Sequence, residues 1–245
     1  MDLTTFLGFG GLVAIAWFAL VNGGVPAAFL NWHGVVIVMG GVAAATLINT
    51  PLRYLWEALR SLALLIGGGH YQDRQAIIAS VVGLAEQVQA RGTSAFQDAD
   101  GAAAGGFLSR AAQAAIEYNN ADLVEQILDS EIDQNYDHQN EIINVFRTMG
   151  VLAPMFGLVG TLVGIVEVLR QIANPEQVGA AMAIALTTAF YGIVLANVFF
   201  VPVAGKLRIR YWEELRGKTI VLQGIVMMMR GTVPLVIERK LQSYR

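Results

Sequence analysis

Long apolar stretches along this chain are separated by one extended polar segment. Four of the stretches can cross a hydrocarbon core about 30 Å thick, which takes roughly 17–25 helical residues. They are Thr5–Val21, Trp32–Ile48, Met149–Leu169 and Val178–Val203. The second is short and glycine-rich, with Gly34, Gly40 and Gly41. Small residues crowd all four. In lipid, apolar burial gives helices no reason to associate, and small residues let backbones approach instead. These helices are therefore built to pack on other helices.

The polar segment, Pro51–Thr148, has no strand-like alternation. Apolar positions return at helical spacing at Ile77, Val81, Leu84 and Val88, and again at Leu123, Ile127, Ile132 and Ile142. Gly92 and the Gly101–Gly106 run read as loops. Near the end, Ile220–Met229 is apolar for only about three turns, too short to span. It is expected to pack on the helices of the polar segment or to lie at the membrane interface. The pattern thus predicts an all-α integral membrane protein. Residues 1–50 hold spans one and two, 51–148 a helical cytoplasmic insert, 149–204 spans three and four, and 205–245 a helical cytoplasmic tail.

Composition agrees with a bilayer. Hydrophobic residues make up 55% of the chain and charged ones only 14%, with a mean hydropathy of +0.53. A soluble domain carries roughly a quarter charged residues. Cysteine is absent, which excludes disulfides and thiolate metal sites. A net charge of −3 without basic blocks gives no nucleic-acid surface. The N-terminal run lacks a basic start and a small-x-small cleavage site before the next apolar run, so it reads as a retained helix.

Orientation follows from Lys and Arg. The expected outer loops, Asn22–Asn31 and Gln171–Gln177, have none. Of the 16 basic residues, all but Arg170 fall in the insert or the tail. That side is the cytoplasm. Both termini are expected on that side.

The insert carries Asp122, Glu125, Asp129, Glu131, Asp133, Asp137 and Glu141 on a helix that is expected to run on into span three. This stretch is either a solvated face or a docking surface. No HExxH, GxxxxGK[ST] or GxSxG occurs, and His33, His70 and His138 are far apart, so nothing points to an enzyme.

The chemistry lies in polar residues within the spans. Thr161 sits in GLVGTLVGIVEVL, and Thr187 and Thr188 in AMAIALTTAFYGIVLAN. Thr161 shares a face with Gly157 and Gly164. A threonine oxygen can meet an ion or its water. It can equally bond back to its own helix one turn earlier. Thr161 is roughly 18 Å from the start of span three, and Thr187 and Thr188 roughly 15 Å from the start of span four, at 1.5 Å per residue. Both then fall near the middle of a core about 30 Å thick. The carboxylate that an ion pathway usually needs is missing from the span cores. Glu167 is near the outer end of span three, where Arg170 at i+3 can pair with it. A central carboxylate would then come from another chain.

APMFGLVGTLVGIVEVLRQIANPEQVGAAMAIALTTAFYGIVLANVFFVPVAGKLRIR, from Ala153 to Arg210, resembles the MotA/PomA family of flagellar stator subunits, within the MotA/TolQ/ExbB channel superfamily. The first two spans and the tail GIVMMMRGTVPLVIERKL resemble it too, and the insert matches more loosely. The resemblance implies a homopentamer around two copies of a single-span partner of the MotB/PomB type, which carries the ion-accepting Asp. The permeating ion would be Na+ or H+, with no other cofactor, and ion flow would turn the pentamer against the rotor's switch-complex protein. Thr161, Thr187 and Thr188 match the threonines that line the ion site in sodium-type members. Pro154 and Pro202 match family prolines, and each should kink or interrupt its helix. Arg91, Asp98 and Asp100 are the nearest matches to the rotor-contact charges, and Gln97 stands where a Glu is usual. A TolQ/ExbB-like energiser of an envelope process and a non-conducting membrane scaffold are the alternatives.

The topology has a direct check. Cysteine at Asn22 or Asn174 should react with an impermeant thiol reagent added outside intact cells, and cysteine at Ser94 should not. Labelling at 94 would overturn the orientation.

Overall fold

The structure is a computed structural model. It describes residues 31–66 and 73–244, with Leu7, Gly8, Gly10, Gly11, Ala14 and Phe18. Apart from those positions, the expected first span Thr5–Val21 lies outside the described residues, as do His70 and all of the first expected outer loop except Asn31. Among the described residues every regular element is helical.

Among the described residues, three helices are long and apolar enough to cross a membrane. The first, α1, is Trp32–Asn49, with a π turn at Val36–Gly40. Asn31 caps its start, its side-chain oxygen accepting from the backbone N–H groups of His33 and Gly34. The extended conformation of Thr50 and the following Pro51 end it. After α2, Leu52–Ile66, comes α3, Arg74–Arg91, capped by Asp73 and ended by Gly92 at φ +72°. Short 3-10 turns at Gly92–Asp98 and Ala103–Gly106 lead to α4, Phe107–Tyr118. Asn119, in the left-handed region, closes α4. Asn120 then accepts from the N–H groups of Asp122 and Leu123 and opens α5.

Helix α5, Ala121–Arg170, is a single helix of 50 residues. The acidic stretch and the third span are thus one element, as the sequence suggests. It continues through Pro154 without interruption, contrary to a break there. The expected fourth span begins as α6, Pro175–Val194, passes a π turn at Leu195–Phe200 and continues as α7, Val201–Met229. At Pro202, too, the helix goes on. The π turn lies immediately before it, and the Val201 N–H reaches back five residues to Ala196. A wider turn relieves the proline ring's clash with the preceding turn while the chain stays helical. Helix α8, Pro234–Gln242, ends the described chain.

The chain divides into two compact units, residues 1–69 with 141–207, and residues 70–140 with 208–245. The first holds the apolar spans. The second has its own core. Ile77, Val81 and Leu84 of α3 meet Phe107, Leu108 and Ala111 of α4, Val124 and Leu128 of α5, Ile220 and Ile225 of α7, and Ile237 and Leu241 of α8. Ile220–Met229 thus packs on helices, one of the two options that its length leaves open. A Cβ added to Gly224 would come within 2.3 Å of Val81, so the α7 backbone itself sits against α3. On α5, Ile142 is buried and Ile132 packs against the core as expected, but in the first turns the buried positions are Val124 and Leu128, one residue on from the expected Leu123 and Ile127. Leu123 is 41% exposed. In those first turns the spacing holds and the phase differs by one residue, because two adjacent apolar stripes share this part of the helix and only packing chooses between them.

Phe107 is fully buried at the centre of the second unit. Phe107→Ala should cost about 3–5 kcal/mol. In the detergent-solubilised full chain this should appear as markedly faster proteolysis between residues 92 and 120. An unchanged cleavage rate would mean that the core does not depend on this ring.

Candidate functional site

The first unit brings spans three and four together through small residues. A Cβ on Gly160 would lie 2.5 Å from the Cβ of Thr188. One on Gly192 would lie 2.5 Å from the carbonyl oxygen of Ala153. Such distances leave no room for a side chain, so each glycine is the hole that its neighbour occupies. Gly34 of α1 faces the methyl group of Thr188, at 3.1 Å from an added Cβ. Thr188 therefore sits where three helices meet, fully buried within the chain. Thr187 beside it is buried too. Thr161 follows Gly160 in sequence, so all three threonines fall at one level. Thr161 differs in being only partly buried.

All three hydroxyls bond to their own helices. Thr161 donates to the Leu158 carbonyl at 2.6 Å. Thr187 donates to Ala183 at 2.8 Å and Thr188 to Ala185 at 2.9 Å. Thr46 of α1 does the same, to Val42 at 2.7 Å. This arrangement satisfies each O–H without another chain. It leaves the oxygen lone pairs, which are what a cation or a water proton uses.

The expected Glu167–Arg170 ion pair is not formed. The Glu167 carboxylate instead accepts from the side-chain amide of Gln171, one turn on. Beside Thr188, the backbone N–H of Asn31 donates to the Tyr191 hydroxyl at 3.1 Å. Sequence reading passed over Tyr191, and it passed over Asn197 as well. Asn197 is exposed on the fourth span and donates its amide to the Ile193 carbonyl at 2.9 Å. The amide inside AFYGIVLANVFF is a signal visible in the sequence, outside the threonines and ionisable groups on which the sequence reading rests.

The rotor-contact candidates lie in the second unit. Arg91 pairs with Asp98 at 2.8 Å and also donates to Gln87. Two of the three candidates are therefore bonded to each other, in a half-exposed pair worth about 0–1 kcal/mol. Asp100 accepts from the Ala102 N–H at 2.9 Å and from the Ser80 hydroxyl at 3.3 Å. The acidic face of α5 is partly engaged at home. Arg230 bridges Asp122 and Glu125, and Arg110 holds Glu131 at 2.9 Å. Asp129 has its carboxyl held above the usual carboxylate range by loss of solvent, with repulsion from Asp133 and Glu125 adding to it. No group of His, Asp or Glu among the described residues could hold a metal ion.

Helices that cross a membrane, pack through glycine and carry hydroxyls at one depth define a polytopic helical membrane protein with a polar level inside its bundle. The chain belongs to the MotA/TolQ/ExbB proton channel family, whose pattern matches residues 101–218, and within it to the MotA/PomA branch. It is 30% identical to chemotaxis protein PomA of Vibrio alginolyticus, over 100% of this chain and 95% of that one. Its fold matches C. jejuni MotAB with a TM-score of 0.87 at 22% identity, covering 100% of this chain and 96% of that chain. The flagellar MotAB stator complex from Bacillus subtilis matches with 0.84 at 22% identity, covering 99% and 96%.

The glycine seam is testable. Gly160→Val should push span four away at Thr188 and lower the thermal midpoint of the solubilised protein by several degrees. Gly179→Val, where an added Cβ meets nothing within 4 Å, should leave it unchanged. Equal midpoints for the two variants would show that the close approach is not needed.

Proposed function

We propose that this chain is the channel-forming stator subunit of a bacterial flagellar motor, and that it couples inward cation flow to torque. The observation that carries this reading is the end-to-end match with PomA, which leaves no part of the chain unaccounted for. The kinship of its fold to MotAB structures supports a partner of the MotB type. In this reading the chain has four spans with both termini in the cytoplasm. Five copies surround two partner chains that bring the ion-accepting carboxylate.

Sodium is the favoured ion. A small hard cation prefers oxygen ligands. The level of Thr161, Thr187 and Thr188 offers three hydroxyl oxygens at one depth. Their O–H groups point to their own carbonyls, so the lone pairs remain to replace part of the ion's water. Thr161, partly exposed, is the hydroxyl that the permeating ion meets. Thr187 and Thr188 stand behind it, and Thr188 also sets the spacing of the helices. Protons could pass over the same level by way of ordered water, which makes H+ the second candidate. In the second unit, Arg91, Asp98 and Asp100 form the rotor-facing charges. The Arg91–Asp98 pair is weak enough to open when the rotor offers its own charges.

Swimming speed as a function of sodium, with potassium as the replacement, tests the ion site. Thr161→Val and Thr188→Val each keep the side-chain shape and remove the oxygen. Both should sharply reduce speed while insertion and partner binding persist. Thr→Ser, which keeps the oxygen, should be milder at either position. Normal swimming with unchanged sodium dependence in both valine variants would mean that the hydroxyls serve only their own helices. A motile host that swims equally well without the gene would point to a TolQ/ExbB-like envelope role instead.

A further inference from the structure

We propose that α2 is a membrane-surface helix of the cytoplasmic leaflet, and that it holds anionic phospholipid headgroups with Arg53 and Arg60. This goes beyond the stator reading and rests only on the orientation that puts residues 51–148 inside.

Helix α2, Leu52–Ile66, follows α1 after a break at Thr50 and Pro51. The 18 residues of α1 make roughly 27 Å of helix, so α2 begins where the hydrocarbon core ends. With Arg53, Glu57 and Arg60 among its 15 residues, α2 is itself no span. One of its faces is covered by the chain. Ala58 and Ser61 are buried there, and the Ser61 hydroxyl donates to the Ala58 carbonyl at 2.7 Å. The opposite face is bare and apolar. Leu52, Trp56 and Leu59 are 73%, 58% and 59% exposed, and Ala63 continues the line at helical steps.

Lipid is the occupant that this line fits. Leu47 and Ile48 at the end of α1 are exposed too, so bare apolar surface runs from the span onto α2. A tryptophan among leucines at the end of a span is the composition of a membrane interface. A protein partner would have to cover both the α2 line and the adjoining end of α1, which a bilayer covers unaided. Arg53 and Arg60 lie two turns apart on one flank of the line, roughly 10 Å along the axis, so each can take its own phosphate. The Arg53 guanidinium lies over the Tyr54 ring at 4.5 Å, and that of Arg60 over the Trp56 ring at 5.3 Å. Among the described residues neither is taken up by a carboxylate. A ring steadies the planar cation and leaves N–H donors whose fork matches phosphate oxygens. Basic side chains beside an apolar line reach the headgroups when the line is sunk in the acyl boundary. Two arginines against Glu57 leave one net positive charge on α2, which gives roughly a fivefold preference for an anionic over a zwitterionic lipid.

The full chain with Trp17→Phe, Trp32→Phe and Trp212→Phe keeps Trp56 as its one tryptophan. In phosphatidylcholine vesicles, its fluorescence should be quenched strongly by phosphatidylcholine that carries bromine on its acyl chains. Brominated phosphatidylglycerol should bind beside Trp56 about fivefold more tightly. Adding Arg53→Gln and Arg60→Gln should abolish that preference and keep the quenching by brominated phosphatidylcholine, which reports that the helix is still in place. Native mass measurement on the chain with all its tryptophans gives a second reading: retained phosphatidylglycerol should fall when both arginines become glutamine. Quenching by neither lipid would mean that water or protein covers α2. Equal quenching by both would mean contact without headgroup recognition. Either result would overturn the proposal, and so would a preference that survives the loss of both arginines. Labelling of Ser94→Cys from outside would instead refute the orientation, and with it the cytoplasmic leaflet. The quenching reads contact in either leaflet, so the two failures are told apart.

Discussion

The approach of the third and fourth spans through their small residues is the contact on which the first unit depends. In lipid the hydrophobic effect cannot hold helices together, because lipid tails are as apolar as the helix faces. What remains is dispersion between closely fitted surfaces and hydrogen bonding. Gly160 admits Thr188, and Gly192 admits the backbone of Ala153. The same fit fixes the depth of Thr188 relative to Thr161. The packing and the polar level are one feature, so a change to either moves the other.

The second unit follows the rules of water-soluble proteins. Its core comes from five helices that are distant in sequence, including the last turns of α7. Its charges are spent mainly on local order. Arg230 gathers Asp122 and Glu125, and Arg74 reaches both Glu213 and the Tyr244 carbonyl. Lys218, almost fully buried, is held by Glu214. Buried ions tolerate no missing partner. The acids left over, Asp129 and Asp133 among them, repel one another along α5. Their mutual repulsion is a standing cost that a basic partner would relieve.

The threonines illustrate how a hydrogen bond can be satisfied and still leave a side chain able to act. Each O–H is taken by a carbonyl one turn back. That bond orients the oxygen and holds the rotamer. A cation asks for lone pairs, and these are untouched. Self-bonding and ion contact, which look like rival accounts in the sequence, are compatible for the same hydroxyl. Burial separates them better: Thr188 is sealed within the chain, while Thr161 faces outward in part.

Hydropathy and spacing alone determined the helical class, the position of three spans and the continuity of the acidic helix with the third. They did so because a bilayer demands a fixed length of apolar helix, and a helix repeats every 3.6 residues whatever surrounds it. The level of the three threonines could also be counted off, since rise per residue is constant. Tertiary structure decided everything that depends on rotation about a helix axis or on a neighbour. It chose Val124 and Leu128 over Leu123 and Ile127, buried Thr188 and left Thr161 half open, joined Arg91 to Asp98, and kept Glu167 on Gln171 and away from Arg170. It also carried both helices past their prolines, with a π turn next to Pro202. Sequence sets how far along a helix a residue stands, and packing sets which way it faces.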